Sequence, residues 1–302
     1  MTSTTTKQGF ILDFDNTITT KDTISTLFSQ VLQYQKSQGR GYSKAYDDII
    51  SGYTTDYAAH IENYRPRKEN RRTLKEEIAF QRSLKDVESK SFERVSKSGM
   101  FKGISDEIWK TLGRQAVATG EIEVRSGFWK SGGDQMPKRT SAILSVNFSR
   151  AFIEGVISVH PENCFGDFDS IVSNGQLDSA EGNGVVIGPK LDDSRNIMAT
   201  SDGKWNAMNK IRQKWQDQGD AIMELIYVGD SGTDIECLTD SSVIGVIMTP
   251  DGGGSLMDTM NRVGIEVVHI SSFKERQEME RILYWARDFV EIIESPIYRS
   301  DY

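Results

Sequence analysis

Apolar residues follow two rhythms along this chain. Short continuous runs, at 10–12, 141–146, 225–228 and 243–248, read as strands buried on both faces. Parallel strands covered by helices are nearly continuous in apolar residues. Longer stretches carry apolar residues three and four apart and predict helices. The first spans 23–38 through Ile24, Leu27, Phe28, Val31 and Leu32. Others span 42–61, 104–117 with Ile108, Trp109 and Leu112, 150–159, and 205–218. Residues 62–102 are charge-rich, with Ile78, Phe80, Leu84, Val87, Phe92 and Val95 as an apolar stripe. The pattern further predicts a hairpin from 171–177 and 184–187, a helix opening at 235, a last strand at 267–270, and a final helix over 273–293. Ile282, Trp285, Phe289 and Ile292 share one face of that final helix.

Strands alternating with helices specify an α/β fold, a doubly wound, Rossmann-like three-layer core with a mainly parallel sheet. Residues 1–19 and 123–302 form this core. An all-helical cap domain, 20–122, is inserted after the first strand, beside the loop in which that strand ends. That position suits a lid over a site at the strand ends.

The first run ends in Asp13-Phe14-Asp15-Asn16-Thr17. Two carboxylates at a strand end repel each other unless a cation, a shared proton or a substrate resolves the conflict. Alone the motif reads more simply as a solvated turn after a buried strand. Three further polar features have the same placement: Ser145 after its strand, Lys204 ahead of a helix, and Asp230 with Asp234 in Gly229-Asp-Ser-Gly-Thr-Asp234. In a doubly wound sheet all converge on one rim, where ligands bind. Asp13 and Asp230 are hard oxygen donors suited to Mg2+. Ser145 and Lys204 supply a hydroxyl and a positive charge for phosphate oxygens. A carboxylate can be the nucleophile in phosphoryl transfer, and a second can act as acid and base.

Composition narrows the field. The 302 residues are 37% hydrophobic and 26% charged, with a net charge of −8. This balance weighs against a general nucleic-acid or membrane-surface role. No run approaches a membrane span of about 18 apolar residues. The polar N-terminus lacks the apolar centre of a signal peptide. Two distant cysteines, Cys164 and Cys237, form no disulfide framework and fit a reducing, cytoplasmic setting. The three histidines are scattered without metal-ligand spacing. Arg65, Arg67, Lys68, Arg71 and Arg72 form a basic cluster whose simplest reading is a solvated helix face.

The ordered set Asp13-Phe-Asp15-Asn-Thr17, Ser145, Lys204 and Gly229-Asp230-Ser-Gly-Thr-Asp234 resembles the four motifs of the haloacid dehalogenase (HAD) superfamily of phosphatases, in the phosphoserine-phosphatase-like branch with a helical cap. Arg125-Ser-Gly127 and 171–177 resemble finer features of that branch. The resemblance implies Mg2+-dependent hydrolysis of a small phosphorylated metabolite through an aspartyl-phosphate. Asp13 is then the nucleophile and Asp15 the acid and base, its main-chain carbonyl also on the metal. Asp230 completes the metal site, Asp234 supports it or orients Lys204, and Thr17 braces the loop. Lys190 competes with Lys204 for the role of phosphate lysine. The family's Ser-Gly-Gly-Phe stands here as Ser145-Val146-Asn147-Phe148, whose side chains narrow the phosphate loop. Asp22 falls where phosphoserine phosphatases carry a glutamate for the substrate amine. The alternatives are a phosphotransferase or mutase of the same fold, and a non-catalytic small-molecule-binding regulator. A monomer and a homodimer both fit.

Overall fold

The computed structural model describes residues 7–129, 139–160, 162–177, 182–191, 194–218, 222–273 and 282–299. Strand β1 (Lys7–Leu12) leads into five helices: α1 (Ile24–Ser37), α2 (Ser43–Asn63), α3 (Leu74–Ser83), α4 (Lys85–Ser98) and α5 (Asp106–Ala118). Then come β2 (Thr140–Leu144), α6 (Arg150–Ile157), β3 (Ser170–Val172), β4 (Gly175–Gln176), β5 (Val186–Ile187), α7 (Ser201–Asp217) and β6 (Ile222–Gly229). The chain continues with α8 (Ile235–Leu238), β7 (Val243–Met248), α9 (Ser255–Arg262), β8 (Glu266–His269), β9 (Ile282–Ala286), α10 (Phe289–Glu294) and α11 (Pro296–Arg299).

Among the described residues, seven strands form one sheet in the order β3-β2-β1-β6-β7-β9-β8, and every adjacent pair is parallel. The fold is thus an α/β, Rossmann-like sheet with helices around it. From β1 the chain winds outward through β2 and β3. It then returns to β6, on the other side of β1, and winds out the opposite way. The order reverses between β1 and β6, where the loops at the strand ends part and leave a crevice. Asp13 follows β1 and Asp230 follows β6, so both flank that reversal.

Sequence pattern accounts for the core. Phe10, Ile11 and Leu12 are all buried, as are Leu225 to Val228 on β6. Helix starts are set by local hydrogen bonds that satisfy free N–H groups. Thr73 and Glu76 form a reciprocal capping box on α3, and Ser105 and Ser149 cap α5 and α6.

The helical stretch leaves the sheet and returns through a short stem. The Thr20 amide donates to the Glu123 carbonyl at 2.9 Å, and the Arg125 amide to that of Ile18 at 2.8 Å. Its apolar residues join the sheet's own core. Phe148, after β2, stacks on Phe92 of α4 with ring centres 4.3 Å apart and meets Phe28 of α1 edge-on. Ion pairs add two ties. Arg82 of α3 pairs with Glu236 of α8, which also accepts from Ser201 at 2.7 Å. Glu77 of α3 holds Arg71 at 2.7 Å and Arg262 of α9 at 3.0 Å.

Helices α5 and α6 cross at glycines. A Cβ on Gly155 would lie 2.2 Å from the Lys110 carbonyl oxygen, and one on Gly113 2.4 Å from that of Phe152. Gly155→Ala must therefore push the helices apart, at an expected cost of about 1–3 kcal/mol. Thermal unfolding should show a lowered Tm; an unchanged Tm would mean that the crossing relaxes freely.

Several expectations need correction. Residues 282–293 are not one helix: β9 inserts in parallel between β7 and β8, and α10 follows. Ile282, Tyr284 and Trp285 suit a strand, and only the neighbouring strands can satisfy its backbone groups. Residues 274–281 of that expected helix lie outside the described residues. It follows that β8 is not the last strand. The 171–177 segment divides, with β3 joining the main sheet and only β4 pairing with β5 as an antiparallel hairpin. Lys204 lies within the first turn of α7 rather than ahead of it. The basic cluster is no helix face. It falls in the turn between α2 and α3, and Arg71 is buried against Glu77 and the Phe80 ring.

Candidate active site

The site is built where β1, β2 and β6 end. Asp13 is fixed by its own amide, which donates to the Val228 carbonyl on β6 at 2.8 Å. The chain then makes one wide turn through 14–18. Asn16 adopts φ 55°, a left-handed conformation that asparagine tolerates better than most residues. The buried Arg125 side chain holds this turn from beneath. Its guanidinium donates to the main-chain carbonyls of Asn16, Thr17 (2.9 Å) and Thr19 (3.4 Å), and to that of Arg287 at 3.1 Å. Thr17 is fully buried and donates to Asp230 Oδ1 at 3.4 Å, linking the two acidic loops.

Lys204 is fully buried between two aspartates. Its Nζ lies 2.7 Å from Asp13 Oδ1 and 2.7 Å from Asp234 Oδ1. Burial works against the lysine charge, yet these carboxylates hold its pKa above the ordinary value, so it remains a cation. Lys190 is exposed on the loop after β5. Asp234 is saturated. Oδ1 also accepts from the Tyr227 hydroxyl at 2.6 Å. Oδ2 accepts from the Asp230 amide, the Ser231 amide and the Ser231 hydroxyl, at 3.3, 3.0 and 2.9 Å. Burial raises its pKa, but Lys204 and these donors outweigh burial and keep the carboxyl below the usual range.

Asp13 and Asp230 behave oppositely. Burial, with Asp234 nearby, pushes Asp13 well up, and the same two causes push Asp230 up to about 7. One oxygen from each of Asp13, Asp230 and Asp234 lies within 4.8 Å of the others. Asp13 and Asp230 are thus desolvated carboxylates sharing too little positive charge. This hard-oxygen donor set fits Mg2+, and a cation between them relieves the conflict.

Asp15 turns away from that cluster. Its Oδ1 accepts from the Thr23 amide at 2.8 Å and the Thr23 hydroxyl at 2.6 Å, and Oδ2 accepts from Asn147 Nδ2 at 3.1 Å. Asn147, expected at the phosphate loop, therefore also orients Asp15. Ser145 is fully buried, and its hydroxyl oxygen accepts from the Asn147 amide at 3.0 Å. Val146 is half-buried and lines the cavity above Asp13. Asp22 is exposed, accepts from the Ile24 amide at 2.8 Å, and lines the same cavity. This cavity of about 490 Å3 takes its floor from Asp13, Asp15 and Asp230 and its walls from α1, α2 and α4.

Sequence reading missed three supports. Thr23 and Tyr227 reach Asp15 and Asp234. Asn174 donates to the carbonyls of Val146, Asn147 and Met198 at 3.0, 3.3 and 2.8 Å, bracing the loop after β2. Only Asn174 carried a signal, a polar residue just past a strand end. Thr23 and Tyr227 look like an ordinary helix start and an ordinary strand residue.

No family model matches this sequence. A CTO1 family protein of Schizosaccharomyces pombe is 25% identical over 298 residues, covering 94% of this chain and 97% of that protein. Among solved structures, a phospho-aspartyl intermediate analogue of phosphoserine phosphatase aligns over 96% of this chain and 98% of that one, with 13% identity and a TM-score of 0.45. A HAD family hydrolase from Salmonella enterica serovar Typhi aligns over 84% of this chain and 65% of its own, with 12% identity and a TM-score of 0.44. Among the described residues, no helix is long and apolar enough to cross a membrane.

Proposed function

We propose that this protein is a Mg2+-dependent phosphomonoesterase of the HAD type, acting on a small phosphorylated metabolite through an aspartyl-phosphate at Asp13. The observation that carries the reading is the buried Asp13–Lys204–Asp234 triad with Asp230 beside it, set at the reversal of strand order and opening into a cavity. The order of the four motifs in the sequence supports it independently. Helices α1, α2 and α4, within a cap over 20–122, supply the far wall.

In this reading Asp13 and Asp230 hold the metal, together with the Asp15 carbonyl. Asp234 has its oxygens engaged and serves as the anchor of Lys204. Bound Mg2+ supplies positive charge beside the transferring phosphoryl group. A carboxylate oxygen of Asp13 attacks phosphorus as the bond to the alcohol oxygen breaks. Asp15, released from Thr23 and Asn147, gives that oxygen a proton. The Asp15 carboxylate then takes a proton from water, whose oxygen attacks phosphorus and breaks the bond to Asp13, freeing inorganic phosphate. Lys204 stabilises the charge on Asp13 and on the phosphoryl oxygens throughout. Val146, which lines the cavity, would offer its main-chain amide to the same oxygens, and Ser145 its hydroxyl.

The test is phosphate release from an aryl phosphate and a panel of metabolite monoesters, with Mg2+ and with EDTA. Release that depends on Mg2+ is the expected result. No release from any ester, the aryl phosphate included, would sink the reading and favour a binding protein. Faster turnover with an added acceptor alcohol would make the protein a phosphotransferase.

A further inference from the structure

The leaving group's place follows from the floor of the site. The alcohol oxygen must lie opposite the attacking Asp13 and within reach of Asp15. The 490 Å3 cavity is lined by both. A second cavity of about 860 Å3, which carries Arg67 and Lys68, meets the first at Tyr53, Glu88 and Asp230 but is lined by neither Asp13 nor Asp15. The alcohol therefore projects into the first cavity, between α1, α2 and α4.

That cavity has a distinct chemistry. Five carboxylates line it, those of Asp13, Asp15, Asp22, Glu88 and Asp230, and no lysine or arginine does. The rest is largely aromatic and aliphatic. Glu88 of α4 is half-buried and accepts from the Tyr53 hydroxyl of α2 at 2.9 Å. Among the described residues no cation pairs with it, and burial pushes its carboxyl up. The rings of Tyr46, Tyr53 and Phe92 stand in the same wall. A half-buried carboxylate without a paired cation, set beside aromatic rings, is an environment that receives an ammonium group by ion pairing and cation–π contact. A second anionic group on the substrate would meet carboxylates there and, among the described residues, no lysine or arginine lining the same cavity.

We propose that the cavity selects phosphate monoesters of ammonium-bearing alcohols, with the ammonium held by Glu88 and the rings of Tyr46, Tyr53 and Phe92. This assignment rests on the phosphatase reading and deepens it. It disfavours phosphoserine, whose carboxylate would meet no lysine or arginine among the described residues that line this cavity.

The experiment compares kcat/KM for choline phosphate and for its uncharged isostere, 3,3-dimethylbutyl phosphate, in the wild type and in Glu88→Gln, with an aryl phosphate as the check on hydrolysis itself. A preference of roughly tenfold or more for the cationic ester is expected in the wild type. It should shrink toward unity in Glu88→Gln, through a raised KM for the cationic ester. An active enzyme without that preference, or a preference unmoved by Glu88→Gln, overturns the assignment and leaves the phosphatase reading standing. If no ester, the aryl phosphate included, is hydrolysed, the phosphatase reading fails and the assignment fails with it.

Discussion

Asp13→Asn is expected to abolish turnover, by a factor on the order of 10^4 or more, because it removes the proposed nucleophile. The same change should not harm the fold. Asp13 is buried near Asp230 and Asp234, and its carboxyl is pushed well up by burial and then by Asp234. An amide of the same shape removes one of the clashing charges, while Lys204 keeps its contact with Asp234 at 2.7 Å. Tm should therefore stay level or rise, as expected where a site is held together against its own repulsion. Activity and Tm measured on one preparation check both parts. Wild-type turnover would end the assignment of Asp13, and a collapsed Tm would show that its charge is needed for folding.

Lys204→Met is expected to damage stability and activity together. It leaves Asp13 and Asp234 facing each other in a fully buried setting with no cation between them. Removing one partner of a buried ion pair costs about 3–5 kcal/mol, since the uncompensated charge stays behind. For a chain of this size that corresponds to a fall in Tm on the order of 10 °C. Asp234 keeps Tyr227 and Ser231 as donors, so Asp13 suffers more. Combining Lys204→Met with Asp13→Asn should recover part of the lost stability, and the double-mutant cycle would measure the coupling. A Lys204→Met variant with wild-type Tm would show that the triad contributes little to the fold.

The site was legible to the extent that its chemistry is local. Asp13, Asp15, Asp230 and Asp234 stand in short strand-end motifs, and an apolar run ending in paired carboxylates is visible without coordinates. Lys204 was legible only as one of two candidates. Setting it apart from Lys190 needed the tertiary contacts that bring the first turn of α7 to Asp13 and Asp234. Asn147 read as an intrusion on the phosphate loop; the structure gives its amide to Asp15. Thr23 and Tyr227 could not be found, because their partners lie on other segments. The misread C-terminal stretch has a similar cause. Ile282 and Trp285 fit a helical stripe with Phe289 as well as the strand they form, and only the open edge of β7 decides between the two.

By itself, the amino-acid sequence determined the alternation of buried strands and amphipathic helices, the helical stretch after β1, and the acidic loops that follow β1 and β6. Each of these depends on neighbours within a few residues, where periodicity and side-chain chemistry act directly. The tertiary structure alone decided how those loops meet. It set the strand order that brings Asp13 beside Asp230, turned Asp15 toward Thr23 and Asn147, and placed Glu88 with Tyr53 in the wall of the cavity above Asp13. These are contacts between segments far apart in the chain. Their energies come from desolvation and charge pairing in a shared interior, which no local pattern records.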